Sequence, residues 1–250
     1  MELSSEDVKA GLSSNAIKII AIIAMTIDHI AWAFFPHYSL DVPVLIMKII
    51  GRLTAPIMIF FIAEGYYHTR NIKKYIFRLF IFAIISHFAY ALAFDKNFIP
   101  FKETAFDQTS VIWAFMLGLI ALAIRESKTL KLKMWQKHII IFIVIWAAFP
   151  ADWSCPAALA VLHMGINHGK FKKQMVALII CIAIYSIIYA IFLDVIYGIL
   201  QMLVILAIPI LYQYNGQRGK WKGMKWFFYI YYPLHMIILG LIKIFILVKI

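Results

Sequence analysis

The chain has 250 residues, of which 64% are hydrophobic and only 14% charged, and its formal net charge is +12. Soluble domains average about 45–50% apolar and about 25% charged residues, so a soluble globular protein is excluded. The apolar residues form long runs instead of alternating segments of about ten residues, which excludes an outer-membrane barrel. The composition predicts an all-α, polytopic helical membrane protein, with residues 1–250 forming a single integral-membrane domain.

Apolar runs follow one another along the chain, and a helix needs about 20 residues to cross a bilayer. The first fourteen residues carry three acids and one lysine, unlike the basic start of a signal peptide, so we expect the first run to be a retained helix. The fifth and sixth runs are short and fit either tilted helices or a re-entrant pair. We predict eight or nine transmembrane helices in one bundle, with a slight preference for nine. The runs cover residues 15–35, 43–64, 75–94, 108–124, 138–150, 154–167, 174–193, 195–212 and 226–248.

Basic residues are concentrated in every second loop, whereas the intervening loops hold six of the twelve acids. This alternation predicts a cytoplasmic N-terminus, because cytoplasmic loops carry an excess of lysine and arginine. Since the clusters lie between membrane runs, we expect no nucleic-acid partner. Sixteen of the 24 basic residues lie in four such loops: Arg70, Lys73, Lys74, Arg78, Arg125, Lys128, Lys131, Lys133, Lys137, Lys170, Lys172, Lys173, Arg218, Lys220, Lys222 and Lys225.

The first run carries Asp28 and His29 side by side, where a charge at the membrane centre costs about 2.5–3.5 kcal/mol. Arg52 lies at a similar depth in the second run, which predicts a structural Asp28–Arg52 ion pair. Gly51 would permit close approach of the two helices, and Pro56 is expected to kink the second. His29 points about 100° away from Asp28 on a helix. Packing and general-base roles both remain open for it.

Other polar residues divide between membrane depth and the interface. His235 lies deeper than the tyrosines that precede it, so an interfacial belt does not explain it. For His163 we favour a satisfied core group over a ligand-pocket residue, and Asp152 fits either a pocket mouth or a helix N-cap. We expect no bound metal, because we find no ligand pair at four-residue helical spacing. Four further polar side chains are expected at the surface or the membrane interface: His68, His87, Asn97 and His168. The two cysteines, Cys155 and Cys181, are expected to be small packing residues.

Three stretches resemble the TraX family, which is named for a conjugation protein that N-acetylates pilin. They are "AMTIDHI" (24–30), "GRLTAPIMIFFIAEGYYHTRNIKKYIFRLFIFAIIS" (51–86) and "KWFFYIYYPLHMIIL" (225–239). The region from 95 to 220 is similar mainly in hydropathy. The family is in turn similar to the larger superfamily of integral-membrane acyltransferases.

The resemblance implies an acetyltransferase of the bacterial inner membrane, with acetyl-CoA or another acyl-CoA as donor. The acceptor would be an amine or hydroxyl, such as the N-terminus of a pilin-like protein. In the wider superfamily a histidine on an early helix is the suspected base, a role that falls here on His29. Asp28, Arg52 and His235 complete the implied catalytic set.

Basic cytoplasmic loops would suit the phosphates of CoA, although topology alone explains most of their charges. The residues expected to bind the cofactor are Glu64, at the inner end of the second run, and Arg70, Lys74 and Arg78 after it. Two alternatives to the acyltransferase stay open. Buried acids, histidines and arginine also build proton relays in transporters, although no internal repeat stands out. The third function is that of a non-catalytic assembly factor for conjugative or surface structures.

Overall fold

A computed structural model describes residues 11–99, 102 and 108–248, and these residues form helices with no strand. Each of the nine predicted apolar runs is helical, and two of them are divided into shorter helices. A 3₁₀ segment, Met202–Ala207, joins the helices Val195–Gln201 and Ile208–Tyr212. The helices are α1 Ser14–Phe34, α2 Val42–Gly51, α3 Thr54–His68, α4 Ile72–Ala93, α5 Val111–Glu126, α6 Met134–Trp146, α7 Ser154–Ile166, α8 Phe171–Phe192, α9 Val195–Gln201, α10 Ile208–Tyr212 and α11 Met224–Val248.

Six helical segments within the described residues are long and apolar enough to cross a membrane, so the predicted count of eight or nine is not confirmed. The difference lies in α5, α6 and α7, which have 16, 13 and 13 residues. At about 1.5 Å per residue, a 13-residue helix is about 20 Å long, shorter than the hydrocarbon core of about 30 Å. The six segments are Ser14–Phe34, Val42–His68, Ile72–Ala93, Phe171–Phe192, Val195–Tyr212 and Met224–Ile246.

The short helices α5 and α7 are packed against each other in the centre of the bundle. A Cβ at Gly118 would overlap Ala158 and Val161, so the two backbones lie in close contact. Such small residues are typical of helix contacts in membranes. Because much of α5 and α7 is covered by protein, neither helix needs the length that lipid exposure would require.

The nine runs, and not each separate helix, alternate in direction, so their ends lie at two faces. At the first face, the start of α1 meets the loop before α11 through Ser14 Oγ, which donates to the Arg218 carbonyl at 3.1 Å. The ends of α3 and α7 meet there through Tyr67 and Gly165. The four basic loops lie at this face, which we call the basic face, and the other is the opposite face. The acidic chain start, Glu103, Asp107 and Lys249 lie outside the described residues.

The second apolar run breaks between α2 and α3, as its proline predicts. Pro56 has no N–H to donate to the Arg52 carbonyl one turn earlier. The N–H groups of Arg52 and Leu53 instead bond three residues back, to the Ile49 and Ile50 carbonyls, both at 3.1 Å. The break places Arg52 inside the bundle, where its residue is 6% exposed.

Candidate functional site

Two histidines from opposite ends of the chain meet where α1 packs against α11. His29 Nδ1 lies 2.7 Å from His235 Nε2, and His235 Nδ1 lies 2.8 Å from the Tyr231 carbonyl oxygen. A carbonyl only accepts, so His235 Nδ1 carries the proton, and a neutral His235 accepts at Nε2 from His29 Nδ1–H. A neutral His29 then has its lone pair on Nε2. Within the described residues no hydrogen bond occupies that nitrogen, which is therefore available to take a proton.

Aromatic and hydroxyl contacts hold this histidine pair in place. The two imidazole planes are within 4° of parallel, and the edges of Phe94 and Tyr232 contact His29 at centroid distances of 5.7 and 6.0 Å. Tyr231 lies 2.7 Å from the Thr26 hydroxyl through its own OH, which ties α11 to α1 one turn from the pair. Rings held on several sides lose rotational freedom, so the orientation of the pair is fixed before any ligand binds.

The predicted ion pair between α1 and the α2–α3 break is confirmed. Arg52 Nη2 donates to the Asp28 carboxylate oxygens at 3.0 and 3.2 Å. A Cβ at Gly51 would overlap the Asp28 side chain, which confirms the predicted close approach. Arg52 Nε donates to the Lys48 carbonyl at 3.1 Å, and Nη1 donates to Gln201 Oε1 at 2.5 Å. All three guanidinium nitrogens are engaged, so Arg52 acts first as a structural counter-ion.

Three polar residues beside the Asp28–Arg52 ion pair were not predicted from the sequence: Lys48, Tyr197 and Gln201. Lys48 is 2% exposed, and its Nζ lies 3.0 Å from Tyr197 OH and 3.9 Å from the Trp32 ring centroid. The four-residue spacing from Lys48 to Arg52 places both on one helix face, a signal that would have identified Lys48. Gln201 and Tyr197 lie in an apolar run with no such pattern, and only the tertiary fold brings them to Arg52.

His29 lines two cavities that approach it from the two faces. The first, the apolar shaft, has a volume of about 190 Å³ and extends from Lys18 and Lys225 to His29 and Asp152. Lys18 and His29 are separated by about 16 Å along α1, at 1.5 Å per residue. The second, the polar chamber, has a volume of about 120 Å³. Four residues border both cavities: Asp28, His29, Asp152 and Trp153.

The polar chamber lies toward the opposite face, where His37 and Lys96 also line it. Partial burial and the nearby Lys96 charge lower the pKa of His37, so its imidazole stays neutral at neutral pH. Asp152 lines the chamber, which agrees with the prediction that it borders a pocket. The N-cap alternative is wrong, because Trp153 occupies the N-cap of α7 with a left-handed φ of 62°.

A third cavity, the basic vestibule, opens at the basic face and has a volume of about 380 Å³. It shares Lys18 and Lys225 with the apolar shaft, so the two are adjoining. Of the residues predicted to bind CoA, Glu64 and Arg78 line this vestibule, whereas Arg70 and Lys74 do not. Its further basic residues are Lys18, Arg218 and Lys225.

The TraX protein family matches residues 13–243. The chain belongs to the TraX family. A probable fimbrial assembly protein FimC, serogroup H1, from Dichelobacter nodosus is 30% identical over 240 residues, covering 93% of this chain and 96% of that protein. The uncharacterized protein RP591 of Rickettsia prowazekii (strain Madrid E) is 27% identical over 133 residues, 53% of this chain and 46% of that protein. No solved structure matches the chain.

In this TraX-family chain, the three stretches that carry the resemblance come together around the apolar shaft. The first lines it with Asp28 and His29, the second with Gly51 and Thr54, and the third with Tyr229 and Tyr232. Arg52 and His235 do not line the shaft; Arg52 contacts Asp28, and His235 contacts His29. The predicted catalytic residues therefore form two contacting pairs, one ionic and one of imidazoles. The resemblance to the TraX family is confirmed.

The other predicted polar residues lie away from His29. His163 Nδ1 lies 2.9 Å from the Leu159 carbonyl oxygen, but its side chain is exposed and lines a separate cavity of about 810 Å³. The favoured core position is therefore wrong, and the pocket alternative fits. His68 is exposed, and His87 and His168 are half-buried, so none of the three lies in the core. Asn97 accepts from the Ile99 N–H at 3.0 Å in an exposed turn. Both cysteines are free.

Proposed function

We propose that this TraX-family protein is an integral-membrane acyltransferase that moves an acetyl group from acetyl-CoA to an amine, with His29 as general base. The observation that carries the proposal is the place of His29, which lines both the apolar shaft and the polar chamber. A donor and an acceptor can therefore approach the same imidazole from two faces. The lone pair left on its Nε2 by the contact with His235 supplies the base.

The donor enters from the basic face in this proposal. The vestibule offers positive charge to the phosphates of CoA through Lys18, Arg78, Arg218 and Lys225, and charge-assisted hydrogen bonds to phosphate are strong. The adjoining shaft is mainly apolar and narrow, which suits the uncharged arm that carries the thioester. The same basic face would lie on the cytoplasmic side by the positive-inside rule, where acetyl-CoA is made.

The reaction needs one proton carrier and no redox chemistry. The acceptor nitrogen attacks the thioester carbonyl, a C–N bond forms and the C–S bond breaks. His29 Nε2 takes the proton from the acceptor nitrogen and passes it to the departing thiolate, so that an amide and a free thiol result. His235 positions His29 through its Nδ1, and Arg52 holds Asp28 beside the site.

The acceptor is proposed to be an amine of a pilus subunit, reached through the polar chamber. The relative in Dichelobacter nodosus is described as a probable fimbrial assembly protein, which favours a pilus-related partner. The same description also favours a second function, a non-catalytic assembly factor in which the polar clusters only stabilise the bundle. Membrane vesicles can separate these functions.

The test offers radiolabelled acetyl-CoA to inverted vesicles that contain the protein and an amine acceptor, and it measures both CoA release and label transfer. We expect His29→Gln to lower transfer by about 10²–10⁴-fold, the usual contribution of a general base. His163→Gln is the matched control, since this histidine borders neither the shaft nor the chamber. Equal transfer by both variants would exclude His29 as base. Pilus loss on deletion without any transfer would support the assembly factor, and solute flux without transfer would support a transporter.

A further inference from the structure

Three potential metal ligands lie together at the basic face, away from the histidine pair. Glu64 Oε2 is 3.2 Å from His168 Nε2 and 3.6 Å from His68 Nε2, and all three ligand atoms lie within 4.8 Å of one another. Glu64 and His68 stand four residues apart on α3, and His168 comes from the turn between α7 and α8. The acyl-transfer steps proposed above do not use this cluster.

The spacing fits a tetrahedral ion. With metal–ligand bonds of about 2.0–2.1 Å, the ligand atoms of a tetrahedral zinc lie roughly 3.3–3.4 Å apart. The two distances from Glu64 bracket this value. A side-chain rotation of His68 can bring its Nε2 to the same distance from His168 Nε2, because the His68 side chain is 64% exposed and has room to move.

The ligand types select the metal. Two imidazoles and one carboxylate are a ligand set of catalytic zinc sites, and imidazole suits Zn²⁺, Cu²⁺, Fe²⁺ or Ni²⁺ better than Mg²⁺ or Ca²⁺. We propose that Glu64, His68 and His168 bind a Zn²⁺ ion that joins α3 to the α7–α8 turn. The expectation of no metal overlooked the four-residue spacing of Glu64 and His68, which places both side chains on one helix face.

The residue His168 is already held in place beside α3 by its contacts with other residues. The His168 ring stacks on Tyr67 with centroids 3.9 Å apart, and Tyr67 OH donates to the Gly165 carbonyl at 2.8 Å. These contacts fix the turn that carries His168 against α3, as partners beyond the ligands do in other metal sites. Because Glu64 and His68 also line the basic vestibule, the fourth coordination position is accessible to water.

The test measures metal content of the whole protein, purified through a tag without histidines, incubated with Zn²⁺ and desalted. We expect about one Zn²⁺ per chain by mass spectrometry. The affinity for Zn²⁺ should be at least about tenfold weaker in His68→Ala and in His168→Ala, since even the loss of a residue that only supports a ligand weakens metal binding by about tenfold or more. His163→Ala on α7 is the control and should bind as the wild type does. Wild-type protein without stoichiometric zinc, or unchanged affinity in His68→Ala, would refute the site.

A second measurement guards against misfolded variants. Zn²⁺ should raise the Tm of the wild type, and Mg²⁺ at the same concentration should leave it unchanged, because a ligand that binds only the folded state stabilises it. His68→Ala removes an exposed side chain, so it should keep the metal-free Tm and lose the zinc-dependent rise. A rise of equal size in His68→Ala would refute the assignment. Neither readout depends on acyl transfer.

Discussion

The buried ion pair between Asp28 and Arg52 is a stability determinant that can be tested without knowing the substrate. Asp28→Asn keeps the size of the side chain and removes its charge, which leaves the Arg52 guanidinium without a counter-ion. The guanidinium keeps its bonds to the Lys48 carbonyl and to Gln201. The Arg52 residue is 6% exposed, and the polar chamber that it borders has a volume of only about 120 Å³, so water can replace the lost carboxylate only in part.

Removing one partner of a buried pair costs about 3–5 kcal/mol, and the two retained bonds place Asp28→Asn near the lower end. For chains of 150–250 residues, each kcal/mol changes the Tm by about 2–4 °C, so we expect a decrease of roughly 6–12 °C. Thermal unfolding in detergent, followed by circular dichroism, measures it. Arg52→Met in the Asp28→Asn background should recover part of the loss, with a coupling of about 0.5–3 kcal/mol.

An exposed ion pair at the opposite face is the matched control for this measurement. Lys243 contacts Asp95, whose side chain is 67% exposed. Exposed pairs contribute about 0–1 kcal/mol, so Asp95→Asn should lower the Tm by less than about 4 °C. The reasoning fails if Asp28→Asn and Asp95→Asn lower the Tm equally, or if the Asp28 and Arg52 effects are additive.

Three further changes test the contacts around the site. Gly51→Ala places a methyl group against Asp28 and should destabilise the protein by about 1–3 kcal/mol in urea or thermal unfolding, as overpacking does. Arg218→Met should raise the KM for acetyl-CoA and leave kcat unchanged in steady-state kinetics, whereas Arg70→Met, outside the vestibule, should change neither. His235→Phe removes the hydrogen-bond acceptor of His29 Nδ1 and should lower kcat. The decrease should be smaller than the loss of about 10²–10⁴-fold that is expected when the base itself is removed. An unchanged kcat would contradict the positioning role of His235.

The helical architecture could be predicted from the sequence because apolar runs and charged loops are local signals. The break near Arg52 followed from Pro56, and the shared face of the basic loops followed from alternation. The number of membrane-spanning helices could not be predicted in this way, because hydropathy does not distinguish a helix surrounded by lipid from one surrounded by protein. Helices α5 and α7 are apolar for the second reason, and their packing at Gly118 is a tertiary contact. Helix α6 differs from α5 and α7: most of its side chains are exposed, and its 13 residues are too few to span.

The candidate site was predictable where two charges at one depth required each other, as Asp28 and Arg52 do. The histidine contact was not, because residues 29 and 235 are joined by no periodicity and only the packing of α11 on α1 brings them to 2.7 Å. The contact between Gln201 and Arg52 could not be predicted from the sequence for the same reason. Glu64 and His68 are four residues apart, a spacing visible in the sequence, but the third residue of the proposed zinc site, His168, belongs to a turn that only the fold places beside them.

The neighbouring residues Asp28 and His29 serve different clusters because a helix separates adjacent side chains by about 100°. Asp28 faces the α2–α3 break and neutralises Arg52, whereas His29 faces α11 and contacts His235. Stability and activity should therefore separate between adjacent positions. His29→Gln should leave most of the Tm intact and remove acyl transfer, while Asp28→Asn should lower the Tm by several degrees. A variant of His29 that unfolds as early as Asp28→Asn would mean that the histidine pair, too, is mainly structural.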